Sequence, residues 1–277
     1  MGTVFVAGYA AGLRLGLGVT LVVGLLVAVL SQTSRPCTMQ PVRAGVAAAA
    51  IVAAGLGALL TAAGGRPGGD APTHLFEAVT ALASVTSITW LIFWMRRTLR
   101  MLHGEPTGRL ERMLTMGGWT VAATAFLAVL RKGTATALLV LTADSAGRLA
   151  AMLLGIATSV GLGWIVTTAA TRIGPGRLLA WAGAALILVA AGILKDAVHG
   201  LQIAGVLYGP DRLAFDLTAG IDPASWYATL LVGTVNLTPR ATALEITSWL
   251  AFATLMLGLY FGPAADPAQG SDRDAIE

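Results

Sequence analysis

Two adjacent basic residues, Arg131 and Lys132, interrupt an otherwise apolar run at 126–140, which reads FLAVLRKGTATALLV. Placing a charged side chain at the centre of a membrane helix costs about 2.5 to 3.5 kcal/mol on insertion scales. Charged side chains that lie within a membrane line substrate paths or pair with opposite charges on neighbouring helices. The two residues therefore predict a substrate path or a buried charge network at this point of the chain.

A related stretch near the N-terminus reads LRLGLGVTLVV and carries a third basic residue, Arg14. Arg14 and Gly16 align with Arg131 and Gly133, and apolar positions align after them. This alignment indicates that the chain consists of two related halves. Gly16 also follows Gly12 by four residues, a spacing that is typical of close packing between membrane helices.

Six more polar side chains interrupt the apolar runs elsewhere in the chain. They are Glu77, Lys195, Asp196, His199, Gln202 and Glu245. The three acids are about as many as the basic residues need for neutralisation, which favours internal ion pairing, with a working cation site as the alternative. We expect Arg14 and Arg131 to pair with acids across the interface between the two halves. His199 is expected to hydrogen-bond Asp196, three residues before it, and Gln202 to hydrogen-bond a neighbouring helix.

The composition is that of an integral membrane protein. Hydrophobic residues make up 56% of the chain and charged residues only 12%, whereas roughly a quarter of an ordinary soluble domain is charged. Nucleic-acid binding is not indicated, because most basic residues lie at the ends of apolar runs and form no patch with aromatic residues. The single cysteine, Cys37, excludes a disulfide framework or a thiolate metal cluster. We therefore expect a multi-pass protein of the cell membrane, with the lipid bilayer as its surroundings.

Seven apolar runs are long enough to cross a bilayer as helices, which takes about 20 residues each. They lie at about 3–30, 44–63, 74–95, 113–142, 149–170, 178–207 and 241–261. The first run is interpreted as a retained helix, because no charged region precedes it. The sequence thus predicts an all-α membrane protein with one transmembrane domain, 1–262, and a disordered acidic tail, 263–277.

Arginines concentrate in the linkers that follow the first, third and fifth predicted helices. The positive-inside rule places those linkers in the cytoplasm, which puts the N-terminus outside and the C-terminus inside. Two three-helix halves, 1–102 and 113–207, then enter the membrane in opposite senses as an inverted repeat. An outer loop, 208–240, precedes the seventh helix, and its apolar piece 226–232 is expected to form a short or re-entrant element.

The two related stretches read RLGLG from Arg14 and RKGTA from Arg131. They resemble the motif Arg-Glu-Gly-x-Glu, which the oxidase-dependent iron permeases carry in helix one and again in helix four. This family includes the fungal high-affinity iron permease and the bacterial ferrous-iron-uptake permease, and its motif glutamates are taken to carry ferric iron. The arginine and glycine of each copy are kept here. The four glutamates are replaced by Leu15, Gly18, Lys132 and Ala135.

The resemblance extends over nearly the whole chain, through 76–105, 190–207 and the start of the last span at Glu245. It implies seven spans and iron transport, with iron as the substrate and no cofactor. It also implies a periplasmic or extracellular iron-oxidising partner, or other membrane subunits. In helix six the family usually reads like His-Glu-x-Gln-Glu, and here Gly200 and Ile203 replace the two glutamates.

The lost glutamates leave three functions open. Ferric iron is a hard cation that needs several anionic oxygens, whereas Lys132 repels a cation. The chain is then an iron permease that uses other ligands, a non-transporting structural or regulatory subunit, or a carrier of a different, anionic substrate attracted by the basic residues. The sequence predicts no defined set of metal ligands. An enzyme is not expected, because no nucleophile, base and oxyanion group lie near the polar cluster.

Overall fold

The computed structural model of the protein describes residues 2–33, 39–62, 71–102, 108–141, 143, 145–170, 172–208, 213–216 and 225–262. The helices are α1 Gly2–Thr33, α2 Met39–Ala62, α3 Ala71–Leu102, α4 Gly108–Leu141, α5 Ala146–Ala170, α6 Pro175–Ile203, α7 Trp226–Val235 and α8 Ala243–Phe261. The strands are β1 Leu213–Asp216 and β2 Arg240–Thr242. Each predicted span coincides with a helix, α1 to α6 and α8. The predicted tail lies outside the described residues.

Six of the described helices contain a stretch that is long and apolar enough to cross a membrane. These are α1, α3, α4, α5, α6 and α8, so the prediction of an all-α membrane protein is confirmed in its class. The described apolar stretch of α2, Ala44–Leu59, is shorter than the other six. Large apolar side chains such as Trp164 and Trp181 point outward from the bundle, where lipid tails would surround them.

Helices α1 and α5 contact each other through small residues. A Cβ atom added at Gly12 would collide with a carbonyl oxygen of α5, and one added at Gly155 would collide with the backbone of α1. Gly16 meets the side chain of Ser159 one turn further along. Small residues spaced by four allow two membrane helices to approach backbone to backbone. The glycine pair near Arg14 therefore serves helix packing.

Helices α2 and α4 form a second contact of the same kind. A Cβ atom added at Gly57 would lie 2.6 Å from the Cβ of Ala137, and one added at Gly133 would lie 2.9 Å from the Cβ of Ala53. Both separations are too short for two carbon atoms, so only glycine fits without a shift of the helices. Gly133 and Gly16 occupy equivalent places in the two related stretches, and each contacts a different neighbouring helix.

A buried apolar core joins α3 and α6, and α8 packs against α6. The core includes Ile88, Leu91, Met95, Leu186 and Ile187. Tyr260 of α8 donates a hydrogen bond from its hydroxyl to the carbonyl oxygen of Leu179 over 2.9 Å. A buried tyrosine hydroxyl needs such a partner, because burial removes its hydrogen bonds to water. This packing sets the positions of α3, α6 and α8, which carry most of the acidic residues in the bundle.

The segment 208–240 is more regular than the sequence indicated, in the parts that the structure describes. Strands β1 and β2 pair antiparallel. Helix α7 includes the predicted apolar piece, and the Ser225 side chain caps it by accepting a hydrogen bond from the Ala228 amide over 3.4 Å. Asn236 ends the helix in the left-handed conformation, at φ 59°. The strands escaped prediction because they are only four and three residues long.

Candidate functional site

A cavity of about 300 Å³ lies where α1, α3, α4 and α6 meet. We refer to it as the polar cavity, because most of its lining side chains are charged or polar. It is lined by Leu15, His74, Glu77, Arg131, Lys132, Ala135, Asp196, His199 and Gly200. Side chains singled out from distant parts of the sequence therefore meet in one place.

Asp196, on α6, is the centre of a charge network in the wall of this cavity. Arg131 donates a hydrogen bond from Nη1 to Asp196 Oδ2 over 3.1 Å. Lys132 Nζ lies 3.8 Å from the same oxygen, and Lys195 Nζ lies 3.9 Å from Oδ1. One carboxylate thus faces three basic groups. Its negative charge can offset only one of the three positive charges.

The Arg131–Asp196 ion pair corrects one sequence-based prediction. Both α4 and α6 belong to the second predicted half, 113–207, so the pair joins two helices of one half. The prediction that Arg131 pairs across the two halves is therefore wrong, because its long side chain reaches Asp196 across the cavity wall. Arg14 is exposed, and the described residues provide no ion pair for it.

His199 and Glu245 form a second polar contact beside the cavity. His199 Nδ1 lies 2.8 Å from Glu245 Oε1. The Glu245 side chain is only 3% exposed, whereas that of His199 is 56% exposed. The prediction that His199 bonds Asp196 is wrong, because the first turn of α8 brings Glu245 against the imidazole. The pair connects α6 to α8.

Gln202 and Lys195 take their hydrogen bonds from the segment that leads into α8. Thr242 donates from Oγ1 to Gln202 Oε1 over 3.0 Å and accepts from the Glu245 amide over 3.3 Å. Lys195 donates from Nζ to Thr238 Oγ1 over 3.0 Å. The sequence analysis missed both threonines. The spacing of Thr242 and Glu245 is that of a helix capping box, which is a signal that could have identified Thr242.

The rim of the polar cavity carries Glu77 and a residue that the sequence analysis missed, His74. The Glu77 side chain is 52% exposed, and one of its oxygens lies 3.9 Å from His74 Nδ1. Residues three apart on a helix are neighbours, so the spacing of this pair on α3 could have pointed to it. Glu77 makes no described ion pair with Arg131 or Lys132 and remains accessible from the cavity.

Three of the four positions that lack the motif glutamates lie around the fourth, Lys132. Leu15 and Ala135 line the polar cavity together with it. A Cβ atom added at Gly18 would lie 3.8 Å from Lys132 Cε, so the aliphatic part of the lysine runs past the space that Gly18 leaves open. The two altered motif copies, one on α1 and one on α4, therefore meet in the structure.

A smaller cavity of about 30 Å³, with room for a water molecule, lies next to Lys132. Its lining comes from α1, α4, α6 and α7 and includes Gly18, Arg131, Lys132, Gly233 and Asn236. We refer to it as the small cavity. Arg131 and Lys132 line both cavities and therefore separate one from the other.

The described residues contain no group of three or more His, Cys, Asp or Glu side chains that could hold a metal ion. Asp196 faces basic groups, and Glu245 faces His199. A ferric ion needs several anionic oxygens at once, and these two carboxylates have other partners.

Three comparisons with known proteins bear on the whole chain. The profile of the Iron permease FTR1 family matches residues 6–263. The chain is 29% identical over 251 residues to the ferrous iron permease EfeU of Escherichia coli O6:H1, which covers 87% of this chain and 89% of that protein. It is 26% identical over 265 residues to the ferrous iron permease EfeU of Yersinia pestis, which covers 92% of this chain and 93% of that protein. No solved structure matches it. With a family match over nearly its full length and a bundle of apolar helices, this chain belongs to the iron permease FTR1 family of membrane transporters.

Proposed function

We propose that this chain is a membrane transporter of the iron permease type in which Lys132 closes the motif route to a bare ferric ion. The position of Lys132 carries the proposal, because its side chain lines both cavities and extends past Gly18. A fixed ammonium group repels a metal cation at a place where the iron permease motif has a carboxylate. The neighbouring Arg131 adds to the repulsion.

The packing of the helices supports seven spans arranged as two inverted repeats. Helix α1 packs on α5, α2 packs on α4, and α3 packs on α6. Exchanging α1 with α4, α2 with α5 and α3 with α6 leaves this set of contacts unchanged, as a two-fold relation between the halves 1–102 and 113–207 requires. The shared motif glycine agrees with this relation, since Gly16 meets α5 and Gly133 meets α2.

The arginine bias of the linkers supports an N-terminus outside and a C-terminus inside. In that orientation three polar residues lie toward the outer surface. They are Glu77 near the start of α3, His199 near the end of α6 and Glu245 near the start of α8. The polar cavity then opens toward the outside, and the small cavity lies deeper. A substrate that enters from outside meets Arg131 and Lys132 at the bottom of the polar cavity.

Uptake of radioactive iron into proteoliposomes tests the proposal. We expect the unmodified protein to take up ferric iron no faster than empty liposomes do. The ferrous iron permease EfeU from Escherichia coli, reconstituted in the same way, serves as the reference. Rapid uptake that survives Glu77→Gln, His199→Ala and Glu245→Gln would show that iron follows a different path through the protein.

Restoring the motif tests whether the lost glutamates are the cause. Four substitutions together should create measurable ferric-ion binding, because they place four carboxylates close to one another. They are Leu15→Glu, Gly18→Glu, Lys132→Glu and Ala135→Glu. The matched control carries glutamine at the same four positions, which has a similar volume and no charge. Restoring only one copy should do little, because a half-built site buries carboxylates without a metal to neutralise them. Equal ferric binding by the glutamate and glutamine variants would contradict the proposal.

A non-transporting subunit of a membrane complex is the second candidate, and the absence of all four motif glutamates favours it. Its partner would be another membrane subunit or an iron-oxidising protein on the outer side. Affinity purification from native membranes in mild detergent distinguishes the two functions. A stable complex together with no transport of any tested substrate supports the subunit, whereas transport by the purified chain alone supports the transporter.

A further inference from the structure

We propose that the polar cavity binds a small oxyanion, a carboxylate or phosphate group, against Arg131 and Lys132. The inference rests on the proposed function, because it assigns the substrate class of the same cavity. It starts from the charges that surround the cavity and from the donors that point into it.

The described residues of the network carry more positive than negative charge. Three basic side chains on α4 and α6, namely Arg131, Lys132 and Lys195, face the single carboxylate of Asp196. The other two acids have different partners, since Glu245 contacts His199 and Glu77 lies near His74 on the rim. Uncompensated charge is costly within a membrane, so a bound anion would stabilise this arrangement.

The guanidinium of Arg131 has donors to offer such an anion. Its one hydrogen bond to a described residue uses Nη1, which bonds Asp196. An arginine carries five N–H donors in a planar fork that matches the geometry of carboxylate and phosphate oxygens. Lys132, with its Nζ 3.8 Å from Asp196, adds a second positive group on the same wall.

The two acids on the cavity wall oppose an anion less than their number implies. Asp196 is offset by its hydrogen bond with Arg131. Glu77 lies on the rim, 52% exposed and 3.9 Å from His74. His199 also lines the cavity and can donate a hydrogen bond. The volume of about 300 Å³ is at the lower end of the range for small-molecule sites, roughly 300 to 1,000 Å³, which suits a molecule such as citrate.

Binding of radiolabelled citrate and inorganic phosphate to the purified protein in detergent tests the inference. Ala135 lines the cavity without taking part in the charge network. Ala135→Glu should weaken anion binding about tenfold or more, while the uncharged Ala135→Gln should retain it within about threefold. This matched pair differs in charge and hardly in volume, and the melting temperatures of both variants show whether each is folded before binding is compared.

Removing a cavity cation provides the second test. Lys132→Met should weaken citrate binding about tenfold or more, and Lys132→Arg should preserve it, because the positive charge remains. Arg177→Gln removes a cation from the opposite end of α6 and should leave binding unchanged. The inference is overturned if neither anion binds saturably, or if binding responds equally to Ala135→Glu and Ala135→Gln.

Two sources of the anion can be separated in the same assay. Ferric citrate labelled with radioactive iron should be retained with the protein if the oxyanion arrives as part of an iron chelate. Retention of citrate or phosphate without iron assigns the cavity to a free anion. Anion binding without transport in proteoliposomes would leave this inference standing and refute the transporter. Transport of another solute without anion binding would refute this inference and leave the transporter standing.

Discussion

The two motif copies, which begin at Arg14 and Arg131, contribute to two different regions of the molecule. One region is the set of small-residue contacts between helices, and the other is the wall of the polar cavity. The motif glycines, Gly16 and Gly133, remain in place and allow α1 and α4 to approach their neighbours. The positions on either side of these glycines carry no carboxylate, and Lys132 extends past the space that Gly18 leaves open. The comparison teaches that helix packing in these two stretches depends on the glycines and needs no carboxylate beside them. A chain can keep the bundle and change the chemistry inside it.

Breaking the charge network should have the largest effect of the substitutions that follow. Asp196→Asn leaves Arg131, Lys132 and Lys195 without their shared carboxylate. Removing one partner of a buried pair costs about 3 to 5 kcal/mol, and we expect the lower end because the Asp196 side chain is 28% exposed. Thermal unfolding of the purified protein in detergent should therefore show a marked fall in the melting temperature.

The control for this substitution makes the same chemical change in an exposed ion pair. Asp216→Asn removes the partner of Arg240, at 3.8 Å, from a site where both side chains are exposed. Exposed pairs contribute about 0 to 1 kcal/mol, so the melting temperature should hardly move. Glu77→Gln should behave like this control, because Glu77 is 52% exposed. Equal shifts for Asp196→Asn and Asp216→Asn would mean that Asp196 is fully hydrated.

Overfilling a helix contact should have the next largest effect. Gly155→Leu forces a side chain into the backbone of α1, and overpacking of this kind costs about 1 to 3 kcal/mol, occasionally more. Gly161→Leu on the same helix is the control, because a Cβ atom there would meet no atom within 4 Å. Thermal unfolding in detergent should separate the two variants. If both melt like the unmodified protein, α1 and α5 do not pack through Gly155.

Removing the histidine contact should have a smaller effect. His199→Phe leaves the Glu245 carboxylate, which is only 3% exposed, without the group that contacts it now. The loss of a hydrogen bond to a charged group costs about 1.5 to 3 kcal/mol, and water can replace part of it because His199 lies at the cavity surface. Combining His199→Phe with Glu245→Gln should recover part of the lost melting temperature. No recovery would indicate that the two residues do not interact.

Changing accessible residues at the two ends of α6 should not affect stability, but it tests which side the polar cavity faces. In a Cys37→Ser background, Tyr208→Cys places a thiol beyond the end of α6, where the residue is 93% exposed. Arg177→Cys places one at the start of the same helix. A membrane-impermeant thiol reagent should label Cys at 208 and not at 177 in intact cells. The opposite pattern would reverse the orientation and turn the polar cavity toward the cytoplasm.

Hydropathy was enough to predict the helices, because a run of about 20 apolar residues is itself the physical requirement for a membrane helix. The two motif copies lie side by side in the structure, which the alignment of the two halves did not by itself predict. The ion-pair partners could not be predicted in this way. His199 lies three residues from Asp196 in sequence, yet it contacts Glu245, since only the packing of α8 on α6 decides which acid faces the imidazole. Arg131 likewise takes the acid that its side chain can reach, within its own half of the chain.

The fit between Gly18 and Lys132 has a consequence for how such a protein can evolve. A glutamate introduced at 18 alone would extend toward the ammonium of Lys132 and form an ion pair that holds the lysine in its present position. A glutamate at 132 alone would place a carboxylate beside Asp196 and Glu77 with fewer cations to offset it. The two positions are therefore epistatic, and each single reversion leads through a worse intermediate. A laboratory selection for recovered iron transport would need libraries that vary both positions at once.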